Sequence, residues 1–118
     1  MRNNQPVTQL EHTYDAHTTL MSSTDAKGRI TYANQAFVDI SGFERDALMG
    51  SAHNILRHPD MPAAAFADMW KSIQAGEPWT GIVKNRRANG DHYWVRANVA
   101  PIQAQGQAGG YISVRTQP

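Results

Sequence analysis

The sequence has 118 residues, of which 41% are hydrophobic, and a formal net charge of +1, so it is long enough for one domain with its own core. This charge balance lacks the electrostatic footprint of a protein that binds nucleic acid or an anionic membrane. The absence of cysteine excludes disulfides, thiolate metal sites, cysteine nucleophiles and any photochemistry that ends in a cysteinyl adduct.

The first 18 residues are polar and aperiodic, without the cationic and apolar regions of a signal peptide. We predict a flexible N-terminal arm or cap over residues 1–18 and a folded domain over residues 19–118. No apolar run approaches the roughly 20 residues that span a bilayer, so we expect no direct membrane contact from this segment. The chain ends directly after a strand-like run, which is typical of an N-terminal domain excised from a longer protein.

Turn chemistry divides the first half of the chain into short elements. Residues 25–28 predict a turn between two strands, the second of which covers Ile30–Ala33. Asn34 is placed as the N-cap of a short helix that ends at Gly42. A second short helix is predicted over residues 45–49.

The second half begins with a longer helix, which Pro62 starts and Gly76 ends. Its apolar residues recur every three or four positions: Ala63, Phe66, Met69, Trp70 and Ile73. Strand-like runs follow over residues 80–87 and 91–102, around an Asn-Gly hairpin signal, and a third covers residues 110–116. Together the elements predict an α+β domain, with a five-stranded antiparallel sheet that carries short helices and one longer helix on one face.

A polar run over residues 53–62 contains two imidazoles, a guanidinium and a carboxylate: His53, His58, Arg57 and Asp60. Two prolines in the run restrict its backbone and predict a rigid loop. In one interpretation, this loop grips an anionic or polar ligand at the start of the following helix. In the other, Arg57 pairs with Asp60 and the histidines lie at the surface, and the spacing fits both.

Other side chains also admit two interpretations. Phe66 and Trp70 are either core residues or walls of a cofactor site. Aromatic residues with this helical spacing are more often core residues. Asn85 lies in a strand, where asparagine is disfavoured, and it either faces solvent or faces inward and hydrogen-bonds through its amide. Trp94 is either an exposed interaction residue or packs under the N-terminal arm.

The basic hairpin of the second half is predicted to have a solvated tip rather than a nucleic-acid-binding face. Its side chains include Lys84, Arg86, Arg87 and Tyr93. We expect His92 at the surface of this hairpin.

Four segments carry a resemblance to a known family: residues 53–62, 64–70, 76–87 and 89–98. From about Thr18 onward, the chain resembles the N-terminal flavin-binding PAS domains of bacterial aerotaxis receptors. The resemblance implies the PAS fold and a non-covalent FAD, with Arg57, His58 and Asp60 among the positions associated with FAD retention. It also implies that Asn85 lies at the polar pyrimidine edge of the isoalloxazine and that Trp79 lies against the adenine.

The resemblance and the chemistry of a flavin together predict one cofactor site. Aromatic walls, an amide and a cationic donor fork suit the ring, its polar edge and its phosphate or ribityl oxygens. The predicted site residues are Asn34, His53, Arg57, His58, Asp60, Phe66, Trp70, Trp79 and Asn85.

Departures from the light-oxygen-voltage flavin domains are equally informative. By similarity, His53 takes the place of their photoactive cysteine and Arg115 the place of a glutamine in their last strand. Val95 stands where that group has a second asparagine. These departures disfavour direct blue-light sensing and favour redox sensing.

The resemblance implies redox or oxygen sensing for aerotaxis, without catalysis and without a metal. The expected partners are FAD, the linker and kinase-control domains of the same receptor, and a second copy in a homodimer. The expected location is cytoplasmic, tethered to the inner membrane through the rest of the receptor. One alternative is a PAS interaction domain without cofactor, and another is a haem gas sensor with an axial histidine. A third is a metalloenzyme whose ligands would be His53, His58, Asp60 and His92. The spacing of these four residues matches no usual ligand motif. The candidate haem ligands are His12, His17, His53, His58 and His92.

Overall fold

The computed structural model describes residues 6–104 and 107–118. Its strands are β1 (Leu20–Thr24), β2 (Ile30–Ala33), β3 (Trp79–Arg86), β4 (His92–Ala104) and β5 (Gln107–Thr116). Its helices are α1 (Gln35–Ser41), α2 (Arg45–Leu48) and α3 (Ala63–Gln74), and a 3₁₀ helix over His53–Leu56 connects α2 to α3. Within the described ranges, no helix is both long enough and apolar enough to cross a bilayer.

The strands form one antiparallel sheet in the order β2-β1-β5-β4-β3. The β3–β4 hairpin runs from the Arg86–His92 pair to the Trp79–Val99 pair. The last strand pairs with β4 on one side and with β1 on the other. The predicted α+β class and five-stranded sheet are confirmed, and the central position of β5 buries Arg115 near its end.

Local side-chain chemistry sets the ends of the helices. The Asn34 side chain accepts from the Phe37 N–H and caps α1, and Gly42 ends this helix at a φ of 74°. The polar run was predicted to be a loop throughout, which is wrong for its first half. Leu56 is buried there, and a 3₁₀ turn pairs backbone groups close to the core, such as Arg57 N–H with the Asn54 carbonyl.

The core lies between the helices and one face of the sheet. Its most deeply buried apolar side chains come from the sheet, from the helices and from the 3₁₀ segment: Leu20, Ile30, Phe37, Leu48, Leu56, Ile73, Tyr93 and Val95. The opposite sheet face exposes Tyr32, Ile82, Trp94 and Ile112. The sheet therefore covers the core with one face and exposes large apolar side chains on the other.

The described part of the N-terminal arm lies along the β3–β4 hairpin. Thr8 N–H donates to the Gly90 carbonyl at 3.1 Å, and His12 N–H donates to the His92 carbonyl at 2.7 Å. The expectation that His92 lies at the surface is wrong, because the arm covers it and its ring packs edge-on against His58 at 5.9 Å. Arg86 is likewise buried, and its Nε donates to the Pro6 carbonyl at 2.8 Å.

Candidate functional site

A cavity of about 400 Å³ lies between the inner face of the sheet and helix α3. Its sheet wall has an aliphatic part, which consists of Val83, Val95, Ala97 and Val99. Its helix wall is aromatic and apolar and consists of Phe66, Met69, Trp70 and Ile73. A cavity of this size and lining is typical of a site for a small organic ligand with a flat apolar part.

Neutral polar groups interrupt the apolar lining, and two of them are the Asn85 amide and the Thr24 hydroxyl. The Asn85 amide comes from β3 and is 6% exposed. The Thr24 hydroxyl comes from β1, is buried, and has no hydrogen-bond partner among the described residues. A buried polar atom without a partner is costly, so a ligand with a donor or acceptor at this edge stabilises the site.

Three side chains at one end of the cavity form a hydrogen-bonded cluster of Arg115, His53 and Ser22. Arg115 Nη1 lies 3.1 Å from His53 Nε2, and Arg115 Nη2 donates to Ser22 Oγ at 2.9 Å. Since a guanidinium has donors only, His53 Nε2 is the acceptor and the imidazole carries its proton on Nδ1. Phe37 supports the cluster, with its ring stacked on His53 and 4.2 Å from the guanidinium carbon of Arg115.

The electrostatics of this cluster leave a buried positive charge. Burial lowers the pKa of Arg115 to about 10, so the guanidinium remains charged at pH 7. Burial and the neighbouring Arg115 lower the pKa of His53 to about 3, so the imidazole is neutral. Among the described residues, no carboxylate forms a salt bridge with Arg115. A ligand with an electron-rich edge is therefore favoured beside it.

The mouth of the cavity lies between the β1–β2 turn, the 3₁₀ helix and α3. Its exposed lining residues are Lys27, Ala52 and Asn54. Arg57 lines the same region, where Nη2 donates to the Met61 carbonyl at 3.0 Å and the guanidinium lies over the Phe66 ring at 4.8 Å. If a bound ligand is too long for the cavity, its outer part extends through the mouth, past these polar and cationic groups.

Five of the nine predicted site residues line the cavity: His53, Arg57, Phe66, Trp70 and Asn85. Asn34 does not. Its Oδ1 accepts from Phe37 N–H and Met21 N–H, and its Nδ2 donates to the Thr19 carbonyl. The prediction that Asn34 contacts the cofactor is corrected on this point, because these three hydrogen bonds to the backbone hold its side chain between β1 and α1.

Three further predicted residues lie outside the cavity and support its edges. His58 is fully buried, and its Nδ1 accepts from Asp60 N–H at 3.0 Å. The His58 backbone carbonyl accepts from Met61 N–H. This hydrogen bond helps to position Met61, whose own carbonyl accepts from Arg57. The Asp60 carboxylate accepts from Lys84 Nζ at 3.0 Å. Trp79 Nε1 donates to Asp68 at 2.9 Å and ties β3 to α3.

Several lining residues were not predicted from the sequence. Among them are Ser22, Thr24, Lys27 and Arg115. Arg115 had a signal, because its place in the last strand corresponds to the glutamine of the light-oxygen-voltage domains. The two hydroxyls had none, since serine and threonine in a strand are ordinary and only the β1–β5 pairing brings them to the cavity.

His58 and His92 are in contact, but the predicted metal ligands do not assemble into a metal site in the described residues. In the described residues, no three or more side chains of His, Asp or Glu lie where they could hold a metal ion. Of the five histidines, His53 alone lines the cavity in this part of the chain, and its Nε2 lies 3.0 Å from Ser22 Oγ as well as beside Arg115. A cation at this nitrogen disfavours its use as an axial haem ligand.

Comparisons with known proteins agree with the geometry. The sequence profile of the PAS fold matches residues 30–115. The chain is 57% identical over 111 residues to the aerotaxis receptor of Escherichia coli (strain K12), and this match covers 94% of this chain and 22% of that receptor. It is 29% identical over 96 residues to the nitrogen fixation regulatory protein of Klebsiella pneumoniae, covering 80% of this chain and 19% of that protein. The chain thus spans about a fifth of the length of these relatives.

Among solved structures, the light state of the blue-light photoreceptor Aureochrome1 LOV has the same fold. The TM-score is 0.78 at 23% sequence identity, and the match covers 84% of this chain and 80% of that one. The helices and the five-stranded sheet therefore follow the arrangement of a known group of domains.

Proposed function

The chain belongs to the PAS fold family, and from that premise we propose that it is the sensory domain of an aerotaxis receptor, which binds FAD non-covalently and relays the redox state of the cofactor. The observation that carries the proposal is the cavity itself. It combines apolar walls, a buried amide, a buried cation and a hydroxyl that has no hydrogen-bond partner in the described part of the chain.

The residues of the cavity fit the parts of a flavin. The apolar walls suit the ring, while Asn85 and Thr24 offer an amide and a hydroxyl to its polar edge. Bound FAD supplies the electron chemistry, and the protein supplies binding and electronic tuning. The sequence has no cysteine, so no light-driven cysteinyl adduct can form.

Two side chains are placed to respond to a change in ring charge. Arg115 holds a positive charge at one end of the cavity and favours the more electron-rich form of a ligand. The Asn85 amide exchanges donor for acceptor by rotating about its last torsion. Together they give the site a differential interaction with two redox states, which is what a switch requires.

The sheet provides a short path from the cavity to the other face. Asn85 pairs with Tyr93 on β4, and Arg115 pairs with Ala97 on β4. Of the three β4 residues between Tyr93 and Ala97, Val95 faces the cavity. Trp94 and Arg96 point to the opposite face, because successive side chains alternate across a strand. We propose that this face contacts the linker and kinase-control domains of the receptor or a second copy of the domain, and that the domain acts in the cytoplasm without catalysis.

The absorption spectrum of the purified chain tests the proposal. A flavin spectrum is expected that bleaches with dithionite and returns in air, with FAD in the supernatant after denaturation. A haem band would replace the proposal with a gas sensor. If the protein has no chromophore and takes up no added FAD, the proposal is wrong and a PAS interaction domain remains.

A further inference from the structure

We propose that Lys27, on the turn between β1 and β2, binds the phosphate groups of the flavin nucleotide, so that the chain selects phosphorylated flavins over riboflavin. This inference rests on the proposed flavin-binding function. It adds a residue and a ligand preference to that function.

The charge of the lining residues is the first observation. Lys27, Arg57 and Arg115 all line the cavity, and none of the described lining residues is Asp or Glu. A concave site with cations and no carboxylate concentrates a positive potential and attracts an anionic ligand. In the proposed function Arg115 faces the ring, and a flavin without phosphates presents no further anionic group to Lys27.

The depth of these cations is the second observation. Arg115 is 2% exposed and lies inside, whereas Lys27 is exposed at the mouth. A cavity of about 400 Å³ has room for a ring system but not for a whole dinucleotide, since sites for drug-sized ligands reach ~1,000 Å³. The phosphates therefore lie at the mouth, where Lys27 stands.

The structure of the turn is the third observation. The Asp25 carboxylate accepts from Lys27 N–H and Arg29 N–H at 2.9 Å each, and it pairs with Arg29 Nε at 2.7 Å. The Gly28 carbonyl accepts from His53 N–H and fastens the turn to the 3₁₀ segment. The nearby carboxylate is thus engaged by Arg29, and within the described ranges the Lys27 ammonium forms no salt bridge. A fixed turn presents a free charge at the mouth.

Affinities for three flavins test the inference. Apoprotein is titrated with riboflavin, FMN and FAD, and binding is followed by flavin fluorescence. We expect Lys27→Gln to raise the Kd for FMN and FAD about threefold, the effect of an exposed ion pair, and Lys27→Glu to raise it about tenfold through repulsion. The Kd for riboflavin stays within about twofold of the wild-type value, and added salt reduces the difference between variants.

Lys71 provides the matched control, because it is an exposed lysine on α3 that does not line the cavity. Lys71→Gln and Lys71→Glu are expected to leave all three affinities unchanged. If the Lys27 variants keep the wild-type ratio of riboflavin to FAD affinity, the phosphate role is wrong while the flavin function stands. If the wild-type chain binds none of the three flavins, the proposed function fails and this inference fails with it.

Discussion

Arg115 is a buried cation without a carboxylate partner in the described part of the chain. Neutral groups hold it, namely His53, Ser22 and the face of Phe37. Such a charge is costly in an empty protein and useful beside a ligand that gains electrons. Its position in the cavity suits redox tuning better than structural stabilisation.

Replacement of Arg115 by Met tests this role. We expect the unliganded protein to keep or gain stability, because an apolar side chain of similar length replaces an unpaired buried charge. We expect the reduction potential of bound flavin to fall, since the cation favours the electron-rich form, by roughly 30 mV for each 1.4 kcal/mol of lost interaction. A redox titration measures the shift. Arg96→Met is the control, because Arg96 is exposed on β4, and an equal shift in both variants would contradict the role.

Asn85 is the second residue on which redox sensing depends. Asn85→Ala removes the buried amide from the cavity wall, and flavin affinity is expected to fall about tenfold, the value of one hydrogen bond. Asn98→Ala makes the same change at an exposed strand position and should leave affinity unaltered. Equal affinities for the two variants, measured by fluorescence titration, would remove Asn85 from the site.

The chemistry of the site could be predicted from the sequence, but not the position of every residue. Asn85 and Arg57 were identified by residue type and by resemblance, and both line the cavity. Asn34, His58 and Asp60 have the same polar chemistry and instead satisfy the backbone or Lys84. The local sequence spacing fits both a polar side chain that lines the cavity and one that bonds to the backbone or to another side chain. Only the fold decides between these two positions.

Helix α3 and strand β3 are joined by a contact that a single methyl group would disturb. A Cβ added at Gly81 would clash with the ring of Trp79, which donates its hydrogen bond to Asp68 from that position. The Trp79 side chain is half-buried, so it can rotate away. In the unsubstituted protein, the hydrogen bond between Trp79 and Asp68 holds this end of β3 against α3.

Gly81→Ala is expected to displace the indole and lower the free energy of unfolding by about 1 kcal/mol, the value of a partly exposed hydrogen bond with its packing. Urea unfolding measures the loss, and tryptophan emission should move to longer wavelength. In a Trp79→Ala background the same substitution should cost almost nothing. A full cost in that background would show that the strand, and not the indole, rejects the methyl group.

Elements with local signals were predicted well. The Asn34 cap, the α1 terminus at Gly42 and the β3–β4 hairpin follow from side chains within a few positions. The 3₁₀ helix over His53–Leu56 and the burial of His92 depend on distant partners, namely the core below Leu56 and the N-terminal arm. The division of the chain at residue 18 remains a prediction.

The whole molecule is expected to lose stability in mild acid because of its buried histidines. Burial lowers the pKa of His53 to about 3 and also lowers the pKa of His58. The unfolded chain binds protons near pH 6.5 and the folded chain does not, so stability is complete above pH 6.5 and decreases as the pH falls below it, by up to about 1.4 kcal/mol per pH unit for each group. The lowered pKa values of Asp25, Asp60 and Asp91 act at lower pH.

Urea unfolding between pH 7.5 and pH 5 measures this dependence. His58→Leu should reduce the slope, because one of the buried imidazoles is gone, whereas His17→Leu changes an exposed histidine and should keep it. A wild-type stability that stays flat from pH 7.5 to pH 5 would contradict the burial of neutral imidazoles.

Hydrogen exchange on the FAD-loaded protein in its oxidised and dithionite-reduced forms tests redox relay most directly. We expect amide protection to change in β3, β4 and β5, which carry Asn85 and Arg115, and to stay constant in α2, which does not line the cavity. In Asn85→Ala the difference between the two forms should shrink. Identical protection of the wild-type sheet in both redox forms would contradict the proposal that this domain senses redox state.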